Sequence, residues 1–464
     1  TMTEQLKLKL NDSKATRWGA LVIVAFTMMA AYYVNDVVPP LKTMLETDLA
    51  WSSTDFGFFA GGYSFLNVFF LMLIWGGLIL DRFGIRFTGK LATILMVGGT
   101  ALEYYAMTGL AGADATLFGI NEIFGYKTGV FVAFAGYSIF GVGAEVAGIT
   151  VSKIIAKWFK GKELATAMGV QVALARIGSQ AGYAVAIPLA RAFGISTPVL
   201  LGLVLLLGGM IAFFIFAVMD KKLDKQMEAA AIAAGTEDEE EKFSFKDVKD
   251  ILVNPGFWLI ALLCVLFYSC VFPFQKFASE LMIIKYGINE NVAGTFAGLP
   301  ALGALILTPV FGGFIDKRGK SASIMLLGSA MLICVHFIYA IPDINYWLVA
   351  IVLMIILGIA FSLVPSAMWP AVAKIFPVSQ LGTAYALIFF IQNIGLWGIP
   401  TLIGWVLDAY CISGKKPDGT NMYDYTVPMC IFTGIACLSL IVALLLKKAD
   451  KKYGYKLEEP NIQK

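Results

Sequence analysis

Glu145 is the only charged residue between Lys127 and Lys153, and Arg176 the only one between Glu163 and Arg191. A guanidinium grips a carboxylate through two parallel hydrogen bonds, and a carboxylate accepts well from an ammonium. The two side chains therefore have two chemical uses. They can neutralise one another as a buried ion pair, or they can hold the opposite ends of a solute with a positive and a negative terminus. Both uses allow the pair to close on itself when the site is empty. Each residue lies about 15 positions from a polar turn near Lys160, so at 1.5 Å per residue both stand roughly 20–24 Å from it, at one depth on neighbouring helices.

Other polar residues in apolar surroundings are candidates as well. Asp36 follows Asn35 and precedes Pro39-Pro40, where a helix is expected to kink, and is read as a mouth or coupling residue. Lys276 and Glu280 are four apart and are expected to pair on one helix face. Glu103 is a candidate for a polar cavity. His336, the only histidine, reads as a packing residue. The six cysteines all lie in the second half, without metal-ligand spacing, and read as small apolar packing residues. Cys411 and Cys430, which flank a loop, have disulfide pairing as an alternative. No nucleophile, metal or nucleotide motif appears, so neither catalytic nor metal-binding residues are assigned, and no cofactor or nucleic acid is expected.

The elements that position these residues follow from composition. Of 464 residues, 59% are hydrophobic and 14% charged, against about 25% charged in soluble domains. Apolar runs of about 20 residues cross a hydrocarbon core of about 30 Å as helices, and lipid admits only helices or closed barrels. The runs lack strand-like alternation, so the fold class is an all-α membrane protein. Twelve transmembrane helices are read at 17–44, 54–80, 89–109, 128–157, 162–190, 197–219, 256–283, 292–315, 322–340, 346–374, 380–408 and 427–448. A charge at the bilayer centre costs about 2.5–3.5 kcal/mol on insertion scales, which makes Glu145 and Arg176 functional by default.

Domain organisation is read as an N-terminal six-helix bundle, 17–219, and a C-terminal one, 256–448. Between them lies a cytoplasmic linker with a surface helix, 220–255, and after them a tail, 449–464. With both termini inside, about 27 of the 35 basic residues lie on the cytoplasmic side, the bias that sets orientation. The start does not read as a cleavable leader. The only glycosylation sequon, Asn11-Asp12-Ser13, falls in a segment placed in the cytoplasm, so a cell inner membrane is the expected location.

The two bundles repeat one plan. Residues 77–86 read G-L-I-L-D-R-F-G-I-R and 312–320 read G-G-F-I-D-K-R-G-K. Asp81 aligns with Asp316 and Gly84 with Gly319, at an offset of 235. Beyond a loop at 110–127 that the second half lacks, the offset is 217, which sets Ser362 against Glu145 and Asn393 against Arg176. The charged pair breaks the repeat, which favours a clamp over a scaffold ion pair. Gly77, Asp81, Arg82, Gly84 and Arg86, with Asp316 and Gly319, form the repeated G-x-x-x-D-R/K-x-G motif. It resembles the signature of the major facilitator superfamily. The glycine is expected to let two helices approach closely. The aspartate is expected to accept from a neighbouring helix and from its own arginine, making these gating residues.

More specific runs follow: Trp158-Phe159-Lys160-Gly161-Lys162-Glu163-Leu164, Ala175-Arg176-Ile177-Gly178-Ser179, Met368-Trp369-Pro370 and Leu381-Gly382-Thr383-Ala384-Tyr385. With Asp36, Tyr63, Asn67, Tyr268, Gln392 and Asn393 they make the chain similar to the lysosomal dipeptide uniporter branch of that superfamily and its bacterial relatives. The resemblance implies passage of dipeptides without a coupling ion, by rocker-switch alternating access. It places the peptide termini on Glu145 and Arg176. The peptide group would use Asn67, Gln392 or Asn393, and Tyr63, Tyr268 and Trp369 would wall the side-chain pockets. Lysosomal members depend on an accessory subunit; whether this chain needs one stays open, and a monomer is expected. The alternatives are an organic-anion or monocarboxylate antiporter, a proton-coupled symporter of the same fold, and a non-transporting scaffold.

Overall fold

The computed structural model describes residues 9–159, 162–234 and 244–461. The first half holds α1 (Lys14–Val37), α2 (Lys42–Leu49), α3 (Ser53–Phe69), α4 (Met72–Thr108), α5 (Thr128–Trp158), α6 (Leu164–Phe193) and α7 (Thr197–Ala234). A short α8 (Phe245–Leu252) precedes the second half: α9 (Pro255–Ser269), α10 (Phe272–Ile284), α11 (Glu290–Ala297), α12 (Leu299–Arg318), α13 (Ser321–Ala340), α14 (Trp347–Ile375), α15 (Leu381–Tyr410) and α16 (Thr426–Tyr453). Two small hairpins, β1 (Glu122–Ile123) with β2 (Tyr126–Lys127) and β3 (Ile412–Lys415) with β4 (Asn421–Tyr423), close loops between helices.

Among the described residues, nine helical stretches are long and apolar enough to cross a membrane, ten if the bent pair α3 and α4 is one span. The twelve segments of the sequence differ from this at two places. α4 runs through a break at Gly84, where φ is 78° and ψ 177°, and so contains the end of one segment and all of the next. α6 carries Arg176, Ser179 and Gln180 midway, which dilute its hydropathy. Dividing the bent pair at Gly84 and including α6 restores twelve.

Local chemistry sets the breaks. Pro39 and Pro40 cannot donate to a helix, and the chain turns there through a single 3₁₀ turn between α1 and α2. The matching segment of the second half breaks between α9 and α10, just before Pro273. Ser52 starts α3 with a reciprocal cap, its Oγ accepting from Asp55 N at 3.0 Å while Asp55 Oδ2 accepts from Ser52 N at 2.9 Å. α7 does not stop near 219 but runs on to Ala234, because Asp220 and Asp224 are held by Lys157 and Arg86.

Within the first half α1 packs on α6 and α7, and α4 on α5 and α7; within the second, α12 packs on α14 and α13 on α14 and α16. The halves meet where α3 lies along α15 and α6 lies against α11 and α12. The chain's described ends share one face, where Leu10 N donates to Gln226 Oε1 at 2.8 Å and Tyr455 OH to Asn254 Oδ1 at 3.3 Å. We call this the terminal face and its opposite the far face. On the far face the halves are sealed. A Cβ on Gly57 of α3 would lie 2.5 Å from Pro400 O and 2.9 Å from Gly404 Cα of α15, so only glycine permits that approach. The Phe56 and Phe277 rings meet edge-on at 5.3 Å across the same seam.

Candidate substrate site and gates

Glu145 on α5 and Arg176 on α6 are both half-buried, and no ion pair joins them among the described residues. The self-pairing that the sequence allows is not realised. Each charge has another partner. Glu145 Oε1 accepts from Tyr63 OH on α3 at 2.8 Å. The Arg176 guanidinium lies 4.9 Å from the ring centre of Phe361 on α14 and 5.8 Å from that of Tyr32 on α1. A cation over an aromatic face is stabilised by the ring quadrupole while its N–H groups stay available. Tyr32, beneath the Arg176 guanidinium, has no separate mark in sequence among its neighbouring aromatics.

The second half supplies aromatic surface. Tyr268 is stacked on Phe272, ring centres 5.5 Å apart, and accepts from Trp369 Nε1 at 3.1 Å. Trp369 stacks on Phe389 at 4.9 Å, and Tyr385 OH donates to its carbonyl at 2.9 Å. Asn67, Gln392 and Asn393 are buried. Asn393 Nδ2 donates to Phe389 O of its own helix at 2.9 Å. Both polar side-chain atoms of Asn67, and Oδ1 of Asn393, are shut in without a partner.

Asp36 accepts from Ser179 Oγ and, at 3.0 Å, from Asn35 Nδ2. Lys276 reaches into the same layer from α10, donating to Tyr137 OH at 2.6 Å and Asn35 O at 3.4 Å. The expected Lys276–Glu280 pair does not form. Glu280 Oε1 instead accepts from Lys42 Nζ at 2.8 Å and from Tyr425 OH at 2.8 Å. Lys42, buried to 1% exposure, also bonds Glu46 and donates to Ser53 Oγ at 2.7 Å. One helix turn separates Lys276 from Glu280, yet the first half offers Lys42 to Glu280 and Tyr137 OH with Asn35 O to Lys276, and these partners win. Lys42, in the last residues of the segment read as 17–44, and Glu46, just beyond it, are not singled out in sequence, because charges at the end of an apolar run read as exposed.

His336 packs between Phe274 and Phe432, its Nε2 against Cys270 O at 2.8 Å. The six cysteines are unpaired, so the Cys411–Cys430 alternative is not realised. Glu103 is fully buried, with both carboxyl oxygens unpartnered.

The motif residues bond within their own halves. Asp81 Oδ1 lies 3.9 Å from Lys153 Nζ on α5, not on its own arginine; Arg82 covers the Phe83 ring at 5.5 Å. Arg86 Nη1 donates to Asp220 Oδ2 at 3.0 Å and also bonds Asp224. In the second copy Asp316 Oδ1 accepts from Asn461 Nδ2 at 2.8 Å. Gly77 does not provide the close approach, since a Cβ there would meet nothing within 4 Å. Its neighbour Gly76 does, against Val146 Cγ2 at 2.5 Å. Beside this cluster, Arg17 donates to Glu163 at 2.7 and 2.9 Å and holds its carboxyl down to about 2.

A two-half helical bundle with repeated motif loops, and with opposite charges in its apolar helices that do not pair with each other, is the architecture of a membrane transporter. The Major Facilitator Superfamily model matches residues 20–400 and 281–459, and the chain belongs to that superfamily. It is 29% identical over 454 residues to the lysosomal dipeptide transporter MFSD1 of Homo sapiens, covering 95% of this chain and 88% of that protein. It is 26% identical over 441 residues to the Danio rerio MFSD1, covering 93% and 86%. Among solved structures it is similar to a D-xylose-proton symporter, with TM-score 0.67, 14% identity and coverage of 96% and 98%. It is also similar to a peptide transporter POT in complex with sulfate, with TM-score 0.66, 15% identity and coverage of 95% of each chain. At these identities the structures establish the fold alone. The chain is a multi-pass membrane transporter and not an enzyme.

Proposed function

We propose that this protein moves dipeptides across the membrane as a uniporter. The observation that carries the reading is that Glu145 on α5 and Arg176 on α6 are opposite in charge, each held by aromatic neighbours and neither bonded to the other. A solute with an ammonium at one end and a carboxylate at the other satisfies both. Charged hydrogen bonds contribute about 1.5–3 kcal/mol each, so affinity drawn from the shared termini tolerates many side chains. Tyr63, Tyr268 and Trp369 supply the side-chain walls. Asn67, Gln392 and Asn393 take the peptide group once the α3–α15 seam opens. The relatives named as dipeptide transporters support the same reading.

The mechanism is alternating access around this site. The far face is sealed in the present state, and the motif residues Asp81, Arg82, Arg86 and Asp316 close the terminal face in the other. Both termini lie in the cytoplasm and the protein works in a cell inner membrane, as a monomer, with Asp36 lining the outward mouth.

A thermal-shift screen of the purified protein tests the substrate class, because a ligand bound only to the native state raises apparent stability. Free dipeptides raise the melting temperature and N-acetylated dipeptides do not. Stabilisation by simple carboxylates equal to that by dipeptides would favour an anion carrier instead.

A further inference from the structure

The two motif loops are alike in sequence and backbone but differ in what covers them. Gly84 and Gly319 both have positive φ, 78° and 71°. A Cβ at Gly84 would meet nothing within 4 Å, whereas one at Gly319 would lie 2.5 Å from both Glu458 O and Glu459 C. The second loop is overlaid by residues 454–461, the segment after α16. Gly454, at φ 69°, ends that helix in a left-handed cap and turns the chain back.

The overlay is tightly built. Leu457 is fully buried beneath it. Lys320 N donates to Glu458 O and Ser321 N to Leu457 O, both at 3.1 Å. The Glu458 carboxylate accepts from Ser323 N at 2.7 Å and Ser323 Oγ at 2.8 Å. Lys374 Nζ donates to Lys456 O at 3.1 Å and Glu459 O at 2.7 Å. Lys374 is the repeat counterpart of Lys157, which in the first half binds Asp220 and Asp224 of a continuing helix. In the second half the returning segment takes the place of that helix. It also occupies Asp316, whose counterpart Asp81 faces Lys153 at 3.9 Å.

We propose that residues 454–461 are a latch that ties the second motif loop to its own half while the far face is sealed, and that Asp316 must be released from Asn461 before the terminal face closes. The physical basis is competition for one surface. Closing brings each motif loop toward the opposite half, and the Asp316 side of the second loop is already taken. Among the described residues the first loop carries no such cover, so the two repeats do not contribute equally to closure. The inference goes beyond the substrate reading and does not depend on it.

Spin labels at Ala156 and Ala373, exposed residues at corresponding positions of α5 and α14, report the separation of the halves at the terminal face in the full-length protein. Two variants loosen the latch: Asn461→Ala, and a chain stopped after Gly454. The short-distance, closed population is expected to rise roughly fivefold in Asn461→Ala, the factor of about one lost hydrogen bond, and further in the shortened chain. Asn461→Ala alters one partly buried side chain and keeps the test available if the shortened chain fails to fold. A distance distribution in Asn461→Ala that matches the parent protein overturns the proposal.

Discussion

Lys276 and Glu280 stand one turn apart on α10 without bonding each other: Lys276 donates to Tyr137 OH at 2.6 Å, and Glu280 accepts from Lys42 at 2.8 Å. Glu280 thus meets a cation of the first half, while Lys276 also bonds Asn35 O, beside Asp36, to whose Oδ1 the Asn35 amide donates. The order of signs on α10 is mirrored on the α1–α2 segment, so the far face closes in one register. Removing one member of a buried pair leaves an uncompensated charge, at a cost of about 3–5 kcal/mol. Lys42→Glu is therefore expected to open the far face, lengthening the distance between spin labels at the exposed Asp48 and Pro417. Adding Glu280→Lys recovers part of the closed population. Equal opening in the single and double variants would mean that the ladder does not set the register.

The clamp makes a two-sided prediction. Glu145→Gln and Arg176→Lys are each expected to weaken dipeptide binding by about tenfold or more, since each removes a charged or bidentate bond. Calorimetric titration measures both. Full dipeptide affinity in Glu145→Gln with loss only in Arg176→Lys would point to carboxylate transport.

Tyr63 holds the Glu145 carboxylate through one hydrogen bond. Tyr63→Phe keeps the ring and removes that bond, with an expected loss of about 1 kcal/mol in dipeptide binding. In the Glu145→Gln background the same change has less effect, because the two residues act on one oxygen. A double-mutant cycle on dissociation constants gives the coupling, and additive losses would refute it.

The seam between α3 and α15 depends on Gly57, where a Cβ would lie 2.5 Å from Pro400 O. Gly57→Leu is expected to force the far face apart and lengthen the Asp48–Pro417 label distance. Gly77→Leu, with open space around it, leaves that distance unchanged.

Glu163, held down to about 2 by the Arg17 hydrogen bonds, titrates below an unfolded glutamate near pH 4.3. A lowered carboxyl contributes stability above its unfolded value and loses it as pH falls toward the folded one. The difference in melting temperature between the parent protein and Glu163→Gln is therefore expected to be constant from pH 7 to about 5 and to shrink toward pH 2. A difference unchanged across that range would exclude the ion pair as its source.

The amino-acid sequence determined by itself whatever depends on local composition and on repetition. Apolar runs of membrane length define helices because unbonded backbone cannot remain in lipid. The matched motifs at 81–86 and 316–320 reveal two copies of one plan. Glu145 and Arg176 were legible because a lone charge in an apolar run is costly and therefore conspicuous. Only the tertiary structure decided which polar groups find one another. Lys42 and Glu46, at the end of the first apolar run, carry no mark in sequence and prove to be buried, Lys276 and Glu280 read as a pair and prove to face different partners, and Asn461 takes Asp316 from 145 positions away. A buried charge is satisfied by whichever opposite group the packing of the two halves brings within hydrogen-bond reach. That choice depends on rigid-body fit, which neither spacing nor hydropathy along the chain contains.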